Sequence, residues 1–250
     1  MSELALISDI HGNGVALDAV LADLARRGVE QILCLGDLAA GGPQPREVIA
    51  RVRELGCRVV RGNADRWLLK GLPPGRSAET RRLGEVVGWA RVTLTPDDLD
   101  YLAALPPTLT LTVDGVTLLC FHGSPRSDVE SLLATMPEPE LDEVFGAPEA
   151  SVLAGGHTHL QLLRRHRDCL LVNPGSVGLP LGSLTASPAA PPLPAWAEYA
   201  VVEDDDGLEI SFHRLPVDVD ALAAATAAMP CRTWAADLER RIRRWNARAR

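Results

Sequence analysis

The sequence predicts an α/β protein built on parallel strands, and three observations carry that prediction. Up to Val60 the chain alternates short apolar runs with helical periodicity. The second half is dominated by strand–turn–strand patterns. The polar residues with chemical potential stand directly after predicted strands, where carboxyl ends converge on one crevice in an open α/β sheet.

The elements follow in order. Leu4–Ile7 is a buried strand closed by the polar pair Ser8-Asp9. Leu17, Val20, Leu21 and Leu24 recur at i, i+3, i+4 and i+7, so a helix follows, stopped at Gly28. Ile32–Leu35 is a second strand, Pro45–Leu55 a second helix ended by Gly56, and Arg58–Val60 a third strand. Strand–helix–strand repeated in this way implies right-handed parallel crossovers. A helical insertion runs from about 66 to 105, with Leu83, Val86, Val87 and Ala90 on one face. Pro73-Pro74-Gly75 interrupts it and Pro106-Pro107 ends it; it covers a site or pads the fold. Leu109–Val113 and Val116–Phe121 flank Asp114-Gly115, a type I′ hairpin signature. Further strands are Val152–Ala154, Leu160–His166, Cys169–Val172, Tyr199–Val202 and Leu208–His213. Ser187–Ala195 reads as a Pro/Ala loop. Helices return over about 217–247, with Trp234, Leu238, Ile242 and Trp245 as an apolar stripe. No linker or repeat divides residues 1–250, which read as one domain.

Composition narrows the function. With 46% hydrophobic and 23% charged residues, the 250-residue chain is neither disordered nor a disulfide miniprotein. A net charge of −8 argues against a general nucleic-acid or anionic-membrane binder. Arg240, Arg241, Arg243, Arg244, Arg248 and Arg250 read as the wet face of the last helix. Cys34, Cys57, Cys120, Cys169 and Cys231 are odd in number and lack a CxxC pair, so they read as buried free thiols of a reducing compartment. No apolar run is long enough for a membrane span, and no basic segment opens a signal peptide. The expectation is a cytoplasmic protein.

The chemistry lies in five short motifs. Asp9 and His11 stand in Ser-Asp-Ile-His-Gly-Asn, Asp37 in Leu-Gly-Asp-Leu, and Asn63 and Asp65 in Arg-Gly-Asn-Ala-Asp. His122 stands in Cys-Phe-His-Gly-Ser, and His157 and His159 in Gly-Gly-His-Thr-His. Asp9, His11, Asp37, Asn63, His122, His157 and His159 are seven hard or borderline ligands, too many for one tetrahedral ion and suited to two ions sharing a bridge. On extended backbone, Asp-x-His and His-x-His would point both side chains the same way. Singly, Asp9, Asp37 and Asn63 could be ordinary caps or turn residues; capping does not also require four histidines in order. Asn13 reads as the N-cap of the first helix and as a candidate phosphate contact. His166 and His213 match no motif and read as structural. Arg61 and Arg126 read as solvated, and Trp67 and Trp89 as core.

In this order the motifs resemble those of the calcineurin-like metallophosphoesterases, and Asn173-Pro174-Gly175-Ser176 is similar to their small prokaryotic phosphodiesterase branch. The resemblance spans Leu4 to about Ser176. It implies a four-layer αββα sandwich of two mixed β-sheets flanked by helices. It implies one metal on Asp9, His11, Asp37 and His159, and another on Asp37, Asn63, His122 and His157. A hydroxide between two transition-metal ions (Mn, Fe, Zn, Co or Ni) would then attack phosphorus in line. That makes Asp37 and Asn63 catalytic candidates. Asp65 is one as well, or else it orients a ligand. Two departures stand out. Many relatives carry His where this chain has Ala64. An Arg found after Gly-Asp in protein phosphatases and diadenosine polyphosphate hydrolases is absent from Leu38-Ala39-Ala40-Gly41-Gly42-Pro43. The expected activity is metal-dependent hydrolysis of a small phosphoester, diester before monoester, with a homo-oligomer left open. The alternatives are a non-catalytic metal-binding scaffold and, with less support, a nuclease.

Overall fold

Two five-stranded sheets lie face to face in the computed structural model, which describes residues 3–73, 75–179, 195–205 and 207–249. The first sheet has the order β10-β9-β1-β2-β3 and the second β4-β5-β6-β8-β7. In the first, β1 (Leu4–Ile7), β2 (Gln31–Cys34) and β3 (Arg58–Val59) are parallel, and β9 (Trp196–Asp204) and β10 (Leu208–Pro216) add antiparallel strands. In the second, β5 (Val116–Phe121), β6 (Val152–Ala154) and β8 (Cys169–Pro174) are parallel, edged by antiparallel β4 (Thr108–Val113) and β7 (Gln161–His166). Both sheets are therefore mixed.

Three apolar layers hold four structural layers together. Leu6, Leu33, Leu118, Val152 and Val172 pack between the sheets. Ile7, Leu17, Val20, Leu24, Ile49 and Val52 pack the first sheet against α1 (Gly14–Arg27) and α2 (Pro45–Leu55). Phe121, Leu141, Leu153 and Leu171 pack the second against α6 (Glu138–Phe145).

The local signals behave as the residues dictate. Asn13 Oδ1 accepts the Ala16 N–H, and Gly28 closes α1 in the left-handed conformation at φ 80°. Pro45 sits at the start of α2, where its missing N–H is not needed. Asp114 and Gly115 both have positive φ, as a type I′ hairpin requires.

The departures have physical causes. The insertion is α3 (Asn63–Lys70), α4 (Ala78–Thr93) and α5 (Pro96–Ala104), so helix begins at Asn63 rather than near 66. Asp65 explains this: its carboxylate accepts the Gly62 N–H at 2.9 Å and caps the first turn. Helix α6 is an addition to the expected strands; Leu141, Val144 and Phe145 give it an apolar face that two prolines obscure. The chain ends in α7 (Val219–Ala227) and α8 (Arg232–Ala249), whose Trp234, Leu238 and Ile242 are buried. Arg241 is buried too, not solvated, because it lies three residues from Leu238 on the same face. The exposed Arg240 and Arg243 pair with the buried Asp237 and the half-buried Glu239. Cys34, Cys120 and Cys169 are buried thiols, whereas Cys57 and Cys231 are only half-buried. The expected Ser187–Ala195 loop up to position 194, Pro74, Asp206, Arg250 and the side chains of Trp245 and Arg248 fall outside the described residues. Among the described residues no helix is long and apolar enough to cross a membrane.

Candidate metal centre

All seven expected ligands stand at the carboxyl-end rim shared by the two sheets. Asp9 and His11 follow β1, Asp37 follows β2, and Asn63 opens α3 beyond β3. His122 follows β5, and His157 and His159 follow β6. Six are buried, and His157 is half-buried, so the cluster opens to solvent on its side.

Three imidazoles are aimed by backbone carbonyls. His11 Nδ1 donates to Ala40 O at 2.7 Å, His122 Nδ1 to Leu35 O at 2.7 Å, and His159 Nδ1 to Leu179 O at 2.6 Å. Each Nδ1 thus keeps a proton, and each Nε2 is turned inward. His11 Nε2 and His159 Nε2 come within 3.1 Å of each other. That spacing calls for a shared proton or a metal cation between the two nitrogens. Asp9 Oδ1 is 3.1 Å from His159 Nε2 and 3.6 Å from His11 Nε2, yet it is buried with no hydrogen-bond donor among the described residues. Asp37 Oδ2 sits 3.3 Å from His122 Nε2 and 3.6 Å from His11 Nε2, between the two rings. The Asn63 amide lies 3.1 Å from His122 Nε2. In the orientation that satisfies its neighbours, its NH2 donates to His157 Nδ1 at 2.9 Å and its oxygen accepts the Ala64 N–H at 3.1 Å; a bound cation would instead call for the oxygen on the inner side.

The outer oxygens are held by the protein. Asp9 Oδ2 accepts from Ser8 Oγ at 2.7 Å and from the His157 N–H at 3.0 Å. Asp37 Oδ1 accepts the Ala64 N–H at 2.7 Å. Ligands from separate strands are thereby fixed to one another. Glycine makes the approach possible: a Cβ at Gly62 would stand 2.1 Å from Asp37 Oδ1, and one at Gly156 2.8 Å from Asp9 Oδ2.

One expectation about the backbone is overturned. Asp9, His11, Asp37, His157 and His159 have φ of 55°, 48°, 57°, 67° and 58°, so the Asp-x-His and His-x-His pairs are not extended. Five non-glycine residues sit in the left-handed region, where each costs about 1 kcal/mol or more. The reason is packing: parallel strands end too abruptly for extended pairs to bend two side chains into one small cage.

Electrostatics match the geometry. Burial works to raise the Asp9 carboxyl, but His159, His11 and His122 outweigh it and hold it well below the usual carboxylate range. Asp37 is lowered in the same way, against its burial, by His122 and His11. Burial opposes charge on His122, yet Asp37 and Asp9 push it up to about 10. His157 is lowered by burial and by His122. The cluster keeps its carboxylates ionised and stabilises positive charge at its centre. Two groups, Asp9–His11–His159 and Asp9–Asp37–His122, each bring their ligand atoms within 4.8 Å of one another. Imidazole nitrogens with carboxylate and amide oxygens suit a borderline transition metal, so the residues fit the ions that the motifs imply.

Two of the expected residues are engaged by the protein itself. Asp65 is fully buried, and its oxygens accept the N–H groups of Asp37 at 2.9 Å, Leu38 at 2.8 Å and Gly62 at 2.9 Å. This matches the orienting alternative: it positions the loop that carries Asp37. Asn13 caps α1 through Oδ1 and donates through Nδ2 to Gly178 O at 3.0 Å, so its amide serves the protein on both sides. Ala64 lies in the first turn of α3 with its methyl group buried in the core, so its side chain offers no ligand or proton.

Sequence reasoning assigned no role to Asn173 and Ser176. Asn173 Nδ2 donates to Gly156 O at 2.5 Å, and Ser176 Oγ donates to Asp9 O at 2.8 Å. Val177 N and Gly178 N donate to Ser8 O and Asp9 O at 2.9 and 3.0 Å. The segment after β8 thus staples the Gly-Gly-His-Thr-His loop to the loop after β1. The Asn-Pro-Gly-Ser run was the available signal.

A sandwich of two mixed sheets with this cage at its rim defines a metallophosphoesterase. The model of the calcineurin-like phosphoesterase superfamily domain matches residues 2–190, and the chain belongs to that family. It is 28% identical over 236 residues to an uncharacterized protein of Methanocaldococcus jannaschii, covering 87% of this chain and 89% of that one. It is 26% identical over 197 residues to the phosphodiesterase YfcE of Escherichia coli, covering 75% and 85%. Among solved structures, a metallophosphoesterase from Sphaerobacter thermophilus superposes with a TM-score of 0.71 at 28% identity, covering 95% of this chain and 98% of that one.

Proposed function

We propose that this chain is a phosphodiesterase that acts on a small phosphoester with two transition-metal ions. Asp9, His11, Asp37 and His159 would hold one, and Asp37, Asn63, His122 and His157 the other. The observation that carries this reading is the buried Asp9 Oδ1, without a donor among the described residues, facing inward-turned imidazole nitrogens. Bound ions of this kind supply a hydroxide nucleophile at neutral pH and neutralise charge on phosphoryl oxygens.

The residues of the chain do the rest. Carbonyls of Leu35, Ala40 and Leu179 fix three rings in the metal-binding tautomer. Asp65 holds the Asp37 loop through three backbone bonds. The half-buried His157 leaves one side open for a substrate. Ala64 cannot protonate a leaving group, so esters with good leaving groups are favoured. The phosphodiesterase name of the Escherichia coli relative supports a diester substrate.

The test compares bis-p-nitrophenyl phosphate with p-nitrophenyl phosphate. Metal-stripped protein is titrated with Mn, Ni, Co, Zn and Mg, with Asp37→Asn as the paired variant. Metal-restored diester cleavage, lost in the variant, is the expected result. Bound ions without cleavage of either ester would overturn the reading.

A further inference from the structure

The family match ends at residue 190, yet α8 reaches back to the cage. Trp234 Nε1 donates to Gly41 O at 2.8 Å. Gly41 follows Ala40, whose carbonyl receives the His11 Nδ1 proton at 2.7 Å. We infer that Trp234 is a positioning residue for the metal centre: it fixes the loop whose Ala40 carbonyl aims His11. This rests on the proposed metal-dependent function.

The loop needs such an anchor. From Leu38 to Pro43 it forms no helix or strand, and Gly41 has φ 120°. One end is tied by the Gly12 N–H to Leu38 O at 2.8 Å, and the other by the Gln44 N–H to Gly12 O at 2.8 Å. Between these ties the Trp234 indole is the side chain that grips the backbone at Gly41. The indole itself is held firmly. It is 5% exposed and packs with Val86 of α4 and with Met229 and Ala235. Arg82 of α4 reaches Asp237 of α8 at 3.6 Å. A rigid helical pair therefore presses one hydrogen-bond donor onto the loop next to a ligand's orienting carbonyl. Groups that orient a metal ligand in this way act on affinity through ligand geometry.

The test uses Trp234→Phe, which keeps an aromatic ring in the cluster and removes the donor. Leu141→Ala is the comparison: it thins the apolar layer between α6 and the second sheet, and Leu141 does not line the cavity that His11 shares with Gly42 and Pro43. Three readouts are taken on full-length, metal-stripped protein: the unfolding midpoint, the Mn dissociation constant by calorimetry, and the imidazole 15N spectrum. In Trp234→Phe we expect the Mn dissociation constant to rise about three- to tenfold, less than the 10–100-fold typical of a direct partner of a ligand. The His11 15N shifts should move toward mixed tautomers. In Leu141→Ala, a matched or larger loss of midpoint should leave both readouts near wild type. Equal changes in the two variants, or an unchanged Mn constant in Trp234→Phe, would overturn the inference. Wild-type protein that binds no Mn would instead overturn the proposed metal dependence. If Trp234→Phe fails to fold, the wild-type protein decides: a Trp234 indole N–H protected from hydrogen exchange supports the inference, and an unprotected one overturns it.

Discussion

Two buried acidic clusters in this molecule are built on opposite rules. At the rim, Asp9 and Asp37 stand on left-handed backbone after strands, and Asp9 Oδ1 has no donor among the described residues. Within α1, Asp23 stands on regular helix and is fully served. Arg27 Nε donates to it at 2.8 Å, Arg26 at 2.5 Å, and the buried Tyr199 hydroxyl also donates. One carboxylate is left wanting a cation in a strained setting; the other wants nothing and sits without strain. Local rules are broken where a ligand is meant to complete the site, and kept where the task is only to join α1 to β9.

Three substitutions sharpen that contrast. The largest effect is expected from Asp37→Asn, which should lower phosphodiester turnover by about a thousandfold or more, because the carboxylate is the bridge candidate. The midpoint of the metal-stripped protein should change little, while the rise on adding metal should disappear. Thermal unfolding with and without Mn checks this; a large midpoint loss in the stripped variant would mean that Asp37 is structural.

Asp65→Asn comes next. Its amide nitrogen would face backbone N–H groups, so at least one donor loses its acceptor, with a stability loss of about 1–3 kcal/mol. Burial and the neighbouring Asp37 charge push Asp65 up to about 6, while the Gly62 and Leu38 N–H groups oppose them. Metal affinity should fall about 10–100-fold, as for other groups that orient ligands. Metal titration beside denaturant unfolding separates the two effects, and unaltered affinity would remove Asp65 from the site.

The smallest effect is expected from Asp23→Asn, and it should spare activity. Burial works to raise Asp23, but Tyr199, Arg27 and Arg26 lower it from 3.8 to about 2. A depressed folded-state value means stability that is complete above the unfolded value near 4 and is lost as pH falls toward 2. Arg26 and Arg27 are largely exposed, so screening reduces the contribution to about 1 kcal/mol. Stability measured from pH 5 to 2 should fall less steeply in the variant; an identical slope would show that the Asp23 cluster is not linked to folding.

Much of this was legible before the fold was known. The bounds Pro45–Leu55 were readable because proline starts a helix well and glycine ends one well. The seven cage residues were readable because each follows a strand in a glycine-bearing motif. The left-handed backbone of Asp9 and His159 was not, because only tertiary packing forces a side-chain-bearing residue there. Helix α6 escaped because Pro137 and Pro139 resemble breakers, although Pro139 lies in the tolerant first turn. Asn173, Ser176 and Trp234 act through single hydrogen bonds, and a single bond leaves no periodic trace in a sequence.

The staple after β8 also bears on how the protein is made. Ser176 reaches Asp9 across 167 positions, and His157 reaches it across 148. During synthesis from the N-terminus, Asp9, His11, Asp37 and Asn63 leave the ribosome well before their partners. The emerging half therefore owns loose ligands but no cage. Long-range contacts of this kind form late, so the cage is complete only after the Asn-Pro-Gly-Ser segment has joined the loop after β6 to the loop after β1.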